Sequence, residues 1–361
     1  MGFSIDLSVF NPKGRPLIGV DVSPSGVKLV ELAESGRGRF RLERYAMDTL
    51  PRDAVSDGNV ANLDAVADAI RRCWKRLSTT TRNAAMAVPA SAVITKKISV
   101  PAGQREHELE ALVESEANQY IPFALDEVNL DFQVVGESES GEEMEVLIAA
   151  SRKDKVEDRV AAAESAGLKP TVMDVESYAA LAAFELLDLP LDGMEPQNAL
   201  VAYVDVGSQV TSASILKAGQ PIYFREQNFG GNLLTDEVMR SYGMGLDEAE
   251  QAKRSGDLPD NYEQELLRPF MENLGGEVAR ALQFFYSSTQ YNHVDLIVLA
   301  GGCAAMPGVD KVVQGRTQVP TVVADPFARM EVASTVRKTA LKSDAPALMV
   351  ACGLALRRFD E

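Results

Sequence analysis

The chain has 361 residues, 46% of them hydrophobic and 25% charged, and a formal net charge of −17. Such a composition belongs to a globular protein long enough to bury two cores, and it excludes disorder as the default state. The acidic balance also argues against a general nucleic-acid binder or an anionic-membrane binder, because either needs cations to neutralise phosphate.

Residues 1–16 form an N-terminal tail in which Phe3, Ile5, Leu7 and Val9 alternate as in a strand, suited to a sheet edge or to docking. A first subdomain, 17–91, opens with a hairpin over Leu17 to Leu32 that turns at Ser23-Pro24-Ser25-Gly26, and a third strand follows around Phe40 to Ala46. Asn62 caps a helix whose inner face is Leu63, Val66, Ile70, Trp74 and Leu77; the tryptophan reads as core. Residues 92–169 parse as an inserted β-α-β-β-α module. It has a strand Val93 to Val100, a helix Glu106 to Tyr120, alternation at Val128, Leu130, Phe132 and Val134, a strand Val146 to Ala149, and a helix Lys153 to Ala166 ending at Gly167. A linking helix and connector occupy 170–197.

The second half begins with 198–232, where Ala199 to Val206 and Thr211 to Leu216 are strands and Lys217 to Gln220 is a turn. A charged helical stretch, 233–290, follows. Residues 291–345 return to core with a strand Asp295 to Ala300 that closes on Gly301-Gly302, and 346–361 is a helix rich in small residues.

Cys73, Cys303 and Cys352 are scattered, and with only His107 and His293 beside them they give no metal-ligand spacing, so reduced thiols are expected. The first ten residues carry acids in place of a basic start, and no segment approaches the roughly 18 apolar residues of a spanning helix. A cytoplasmic protein that meets a membrane only through partners is the expectation.

Two runs half a chain apart resemble each other: Ile18-Gly19-Val20-Asp21-Val22-Ser23 and Tyr203-Val204-Asp205-Val206-Gly207-Ser208. Each is an apolar strand that ends in an aspartate and a turn of small or hydroxyl residues, offering backbone N–H groups and a carboxylate to one point, as phosphate and magnesium require. With Ala300-Gly301-Gly302-Cys303-Ala304, these runs resemble, in order and spacing, the two phosphate motifs and the adenosine motif of the actin-like ATPase superfamily.

That resemblance implies an α/β, actin-like ATPase fold of two duplicated lobes around a nucleotide cleft. It implies ATP as cofactor, with Mg²⁺ faced through water by Asp21 and Asp205, and phosphate and nucleoside contacts from Ser23, Ser25, Gly207, Ser208, Gly301 and Gly302. Gly230-Gly231, Glu250 and Lys253 resemble segments near the phosphates and ribose, although Glu250 and Lys253 also read as a solvated helix face. Glu176, at the start of the linking helix, takes the place of a water-positioning carboxylate. The C-terminal helix is expected to return to the first lobe. Nucleotide binding with slow or negligible turnover is the expectation.

The inserted module, with Glu116-Ala117-Asn118-Gln119-Tyr120-Ile121-Pro122-Phe123, resembles the PilM family of type IV pilus assembly proteins. This implies a cytoplasmic adaptor, peripheral to the inner membrane, that receives the N-terminal cytoplasmic peptide of PilN between the first subdomain and the insertion. Strand Val93 to Val100 and residues Tyr120 to Phe123 are the candidate lining. Two alternatives share the motifs: a filament-forming protein like FtsA, and a small-molecule kinase of the superfamily. The chain's short, acidic last residues, Leu356 to Glu361, differ from an FtsA-type amphipathic tail, and nothing between Gly207 and Thr211 supplies a kinase's catalytic aspartate.

Overall fold

A short turn between two apolar strands sets the first sheet: Ile18–Ser23 pairs antiparallel with Gly26–Gly36, which puts Asp21 opposite Lys28. The computed structural model describes residues 4–6, 16–36, 38–56, 58–137, 141–191, 193–195 and 197–360. It divides into two units. The first comprises Met1–Ala183, Met330–Val336 and Val350–Glu361; the second comprises Phe184–Arg329 and Arg337–Met349.

In the first unit, the sheet order is Ser4–Asp6, Lys169–Val175, Asn83–Val88, Ile18–Ser23, Gly26–Gly36, Arg39–Thr49 and Glu331–Val332. The three central antiparallel strands are joined on one side by two parallel ones, Asn83–Val88 and Lys169–Val175. Helix Leu63–Leu77 covers one face with Val66, Ile70, Cys73 and Leu77, and the Asn62 side chain accepts from Ala65 N at its N-terminus. Trp74 is half-buried and donates its indole N–H to Thr81 O at 2.9 Å. Of the N-terminal alternation, Ser4–Asp6 forms an edge strand on Lys169–Val175, and the rest lies outside the described residues.

Between residues 93 and 166 the order is strand, helix, strand, strand, helix. Val93–Pro101, Glu143–Arg152 and Val128–Glu137 form a separate three-stranded sheet with Glu143–Arg152 in the middle. The helix Glu106–Ala117 buries Leu109, Val113 and Ala117 against it, four residues apart, as one apolar stripe requires. It ends three residues before Tyr120, because Pro122 restricts the preceding residue and the chain tightens into turns, Tyr120 N bonding Ala117 O at 3.0 Å. Alternation on Val128–Glu137 holds through Phe132. A register shift opposite Glu145 and Val146 then leaves Val135 without a ladder partner, and both Val134 and Val135 are exposed.

Among the described residues the second unit repeats five of the first unit's seven strands in the same order, with no counterpart of Ser4–Asp6 or Glu331–Val332. Gln220–Gln227, Thr211–Lys217 and Leu200–Val206 are an antiparallel meander, followed by parallel Leu296–Ala300 and Thr321–Val323. Its core joins Val204, Val206, Ile297 and Leu299 to Leu274, Val278 and Phe285 of the helix Arg268–Ser288.

The C-terminal helical segment begins at Lys338, earlier than the expected start at Pro346, and runs to Phe359. By length and composition alone it could cross a membrane, yet 67% of its most apolar window is buried within the protein, as in a core helix. Its apolar run serves packing: a Cβ on Gly353 would lie 1.7 Å from Ala179 O, so this helix meets Glu176–Phe184 backbone to backbone.

Candidate functional site

In the first unit, the turn after Ile18–Ser23 is tied together by its own side chains. Lys28 Nζ donates to Asp21 Oδ2 at 2.7 Å and to Ser23 Oγ at 3.1 Å, while Ser23 Oγ donates to Gly26 O at 3.0 Å and lies 3.3 Å from Ser25 Oγ. Asp21 is buried, so its charge is compensated by Lys28 before any ligand arrives. The sequence holds the signal for this pair. Asp21 and Lys28 stand equally far from the turn residues Ser23 and Gly26, and so must face each other across an antiparallel ladder.

Glu176 opens the helix Glu176–Phe184 directly after the strand Lys169–Val175, half-buried. It and Asp21 share an electrostatic neighbour, Arg159. Burial lowers the guanidinium pKa there, and the carboxylates of Glu176, Asp158 and Asp21 oppose that shift. Next to Glu176 in sequence, Asp174 is almost wholly buried and accepts from Arg357 Nε at 2.6 Å and from its neighbour Val175 N at 2.7 Å. Burial pushes its carboxyl up to about 6, against the pull of Arg357.

In the second unit the glycine-bearing loops converge. Gly231 N bonds Gly207 O at 3.0 Å and Asn232 N bonds Ser208 O at 2.8 Å, which lays the 230–232 segment on the 207–208 turn. A Cβ on Gly230 would stand 2.5 Å from the Ser208 carbonyl, and one on Gly231 would stand 2.9 Å from Cys303 Sγ. Gly301, at φ +85°, brings the end of Leu296–Ala300 so close that a Cβ would lie 2.4 Å from Val206 O and 2.5 Å from Asp205 Oδ1. At this position both the left-handed backbone and the lack of space demand glycine. Gly302 opens the short turn Gly302–Ala305, with open space where a side chain would be. Asp205 is half-buried, 3.5 Å from the Tyr203 hydroxyl.

Glu250 and Lys253 join this group through a residue that the sequence did not single out. Thr235 Oγ1 lies 2.6 Å from Glu250 Oε1 and 3.1 Å from Gly231 O, and accepts from Lys253 Nζ at 2.6 Å; Lys253 also pairs with Glu250 at 2.8 Å. Burial raises the Glu250 carboxyl, but Lys253 and Thr235 more than offset it and hold the group below its ordinary value. Glu250 and Lys253 are therefore part of a bonded, half-buried cluster and not a solvated face. Thr235 could have been found from its place four residues after Gly231, one helical turn along Asn232–Tyr242. Burial pushes the Cys303 thiol up to about 12, and among the described residues no three His, Cys, Asp or Glu side chains group to hold a metal.

That donor set fits a magnesium ion held mainly by water and phosphate, which needs only one or two carboxylates from the protein. The glycines at 207, 230 and 231 keep side chains off this turn, which likewise suits an anionic group approaching main-chain N–H donors.

The inserted sheet has a free edge. Among the described residues Val93–Pro101 pairs only with Glu143–Arg152, leaving its other side unpaired by any strand. Lys96 Nζ sits 4.9 Å from the centre of the Tyr120 ring, which is 43% exposed. Ile121 is buried, and the Arg152 guanidinium lies 5.4 Å from the Phe123 ring.

A family model described as type IV pilus assembly protein PilM matches residues 19–359. The chain belongs to the PilM family. A solved PilM-PilN type IV pilus biogenesis complex is similar to this PilM-family chain at 28% identity and a TM-score of 0.77, over 96% of this chain and 100% of that one. The ethanolamine utilization protein EutJ from Carboxydothermus hydrogenoformans shares the fold at 17% identity and a TM-score of 0.55, covering 97% and 91% of the two chains. A diol dehydratase-reactivating factor does so at 10% identity and 0.53, over 96% and 100%. The actin-like ATPase fold is thus shown by the strand order repeated in both units and by these likenesses. Membership in the PilM family places the chain in type IV pilus assembly, ahead of the FtsA-like and kinase alternatives.

Proposed function

We propose that this PilM-family chain is a nucleotide-binding adaptor that receives the N-terminal peptide of a PilN protein and thereby works at the inner membrane from the cytoplasmic side. The likeness to a PilM-PilN complex over nearly the whole chain carries this reading. The free edge Val93–Pro101, beside exposed Tyr120, supports it, because an extended peptide gains main-chain bonds by adding to such an edge and register from side-chain pockets next to it.

In the same reading Asp205, Gly207, Ser208, Gly230, Gly231, Glu250, Lys253, Gly301 and Gly302 of the second unit hold ATP. Asp205 faces its magnesium through water. Asp21, Ser23 and Ser25 of the first unit offer phosphate and hydrated magnesium the same chemistry, and Glu176 takes the water-positioning role, with turnover slow or negligible. Calorimetry with a synthetic PilN N-terminal peptide from the same organism should show saturable binding that Tyr120→Ala weakens. Lack of binding with Mg·ATP present would refute the adaptor. For the nucleotide, Asp205→Ala should lose Mg·ATP affinity while remaining folded, and equal affinity would remove Asp205 from the site.

A further inference from the structure

Thr235 is wholly buried on the helix Asn232–Tyr242, and its hydroxyl joins two segments of the second unit. On one side is Gly231, whose carbonyl lies 3.1 Å from both Thr235 N and Thr235 Oγ1. On the other is the helix Leu246–Ser255, which brings Glu250 Oε1 and Lys253 Nζ each to 2.6 Å from the same oxygen. A hydroxyl has a single proton to give. Lys253 can only donate to it, and its own proton goes to Glu250, the shorter and charge-assisted bond, while Gly231 O keeps the Thr235 amide.

The consequence falls on the bonding capacity that the pair leaves unused. Both hydrogen bonds that Glu250 accepts end on Oε1, so among the described residues Oε2 accepts none, on a side chain 34% exposed and held ionised by Lys253 and Thr235. Lys253 gives two of its three protons to Thr235 and Glu250 and keeps one. A fixed carboxylate oxygen beside a fixed ammonium donor suits a sugar hydroxyl, which donates to the first and accepts from the second. A Glu–Lys pair three residues apart on a helix is weak by itself, and its long side chains keep several rotamers. Thr235 removes that freedom from inside the protein. Gly231 extends the chain of bonds, because its own N–H reaches Gly207 O at 3.0 Å, in the turn assigned above to phosphate.

We propose that Thr235 is a positioning residue for nucleotide: it fixes Glu250 and Lys253 against Gly231, so that a ribose hydroxyl at the pair and phosphate at the 207–208 turn are met at one set spacing. This role rests on the nucleotide reading given above and adds to it the group that sets the sugar contact. Valine in place of Thr235 fills the same space without a hydroxyl. It leaves Glu250 and Lys253 able to pair with each other but unties them from the glycine segment. Serine keeps the hydroxyl and loses only a methyl group.

Affinities of the full chain for Mg·ATP and for Mg·tripolyphosphate, which has no sugar, test this, together with amide exchange over 246–255. Native protein should bind Mg·ATP more tightly than Mg·tripolyphosphate, and Mg·ATP alone should slow exchange over 246–255. Thr235→Val should lose about tenfold in Mg·ATP affinity, the size of one hydrogen bond to a charged group, and stay within about twofold of native for Mg·tripolyphosphate. Thr235→Ser should stay within about threefold of native for both ligands. Glu250→Gln should weaken Mg·ATP binding in the native chain, yet by less than about twofold on top of Thr235→Val, because the two residues share one bond network. Native Mg·ATP affinity in folded Thr235→Val, an equal loss of both ligands, or additive losses in the double variant would each overturn the proposal. So would native protein that binds the two ligands equally or whose exchange over 246–255 is slowed alike by both, results that need no variant to fold. Native protein that binds neither ligand would sink the nucleotide reading as well, whereas Mg·ATP binding with any of the former results removes Thr235 alone.

Discussion

Gly353→Ala sets two physical effects against each other at one atom. In a helix interior the change should add about 0.8–1.0 kcal/mol through lower backbone entropy in the unfolded chain and better propensity. At Gly353 the new Cβ would stand 1.7 Å from Ala179 O and 2.4 Å from Ala179 C, both backbone atoms. Ordinary contact begins near 3.4 Å, so one helix must move by more than an ångström or the two must separate. Gly19 blocks retreat on the other side, where a Cβ would already lie 2.1 Å from Ala351 O, so strand Ile18–Ser23 also meets this helix at backbone distance. Overpacking costs typically about 1–3 kcal/mol and more against rigid obstacles, which makes the net effect a loss of roughly 2 kcal/mol. For a unit of this size that lowers Tm by about 4–8 °C. Trp74, the one tryptophan, belongs to the first unit and reports its urea unfolding by fluorescence. The matched control is Gly276→Ala in Arg268–Ser288, where nothing lies within 4 Å and circular dichroism should show a gain of up to about 1 kcal/mol. A Gly353→Ala midpoint at or above native, with an unchanged m-value, would refute the packing argument.

Lys28→Met should cost about 3–5 kcal/mol in urea unfolding by leaving Asp21 buried and uncompensated, and adding Asp21→Asn should recover most of it; equal losses in the single and double variants would deny the pair its role. For Asp174, the folded carboxyl titrates at about 6, above the ordinary carboxylate value, so the stability it contributes is full below about pH 4 and is lost as pH rises through 6. Native stability minus that of Asp174→Asn should therefore fall by on the order of 2–3 kcal/mol from pH 4 to pH 7, and a difference that stays flat or rises would contradict that sign. Cys73 and Cys303 are buried with thiols pushed up to about 12, and Cys352 is buried, so iodoacetamide at pH 8 should label none of the three in folded protein and all three in urea by mass spectrometry.

The sequence made legible what repeats and what alternates. The Asp21 and Asp205 strand ends, the meander that follows each, and the strand, helix, strand, strand, helix order between 93 and 166 all follow from period-2 and period-3.6 patterns with turn residues between them. Harder to read was anything set by contact between segments distant in the chain. Thr235 looks like any hydroxyl on an amphipathic helix until Lys253 and Glu250 arrive from the next one. Arg159 sits in a helix of charged residues and alanines where solvent exposure is the natural reading, and only the hairpin at Gly58 closes over it. The helix through Gly353 extends back to Lys338 because Pro346 falls in the first turn of the tight segment Ala345–Leu348, a position that tolerates its missing N–H. Local rules give no sign that Val135 is the extra residue of a bulge, which comes from a register shift against Glu145 and Val146.

Apolar area and polar ties together orient the inserted module, whose second helix Lys153–Ala166 buries Val156, Ala162, Ala163 and Ala166 in the core of the main sheet. The module's own core, Val100, Val113, Val146 and Ile148 with their neighbours, closes without the main sheet. At the junction a small apolar cavity lies beside Val93 and Met173 and forfeits some dispersion contacts. Hydrogen bonds add direction to that packing, because they weaken steeply away from their preferred distance and angle. Tyr178 on Thr95 and Arg159 on Gly58 O therefore refine the orientation that the buried helix sets, and of these two only Arg159 carries charge.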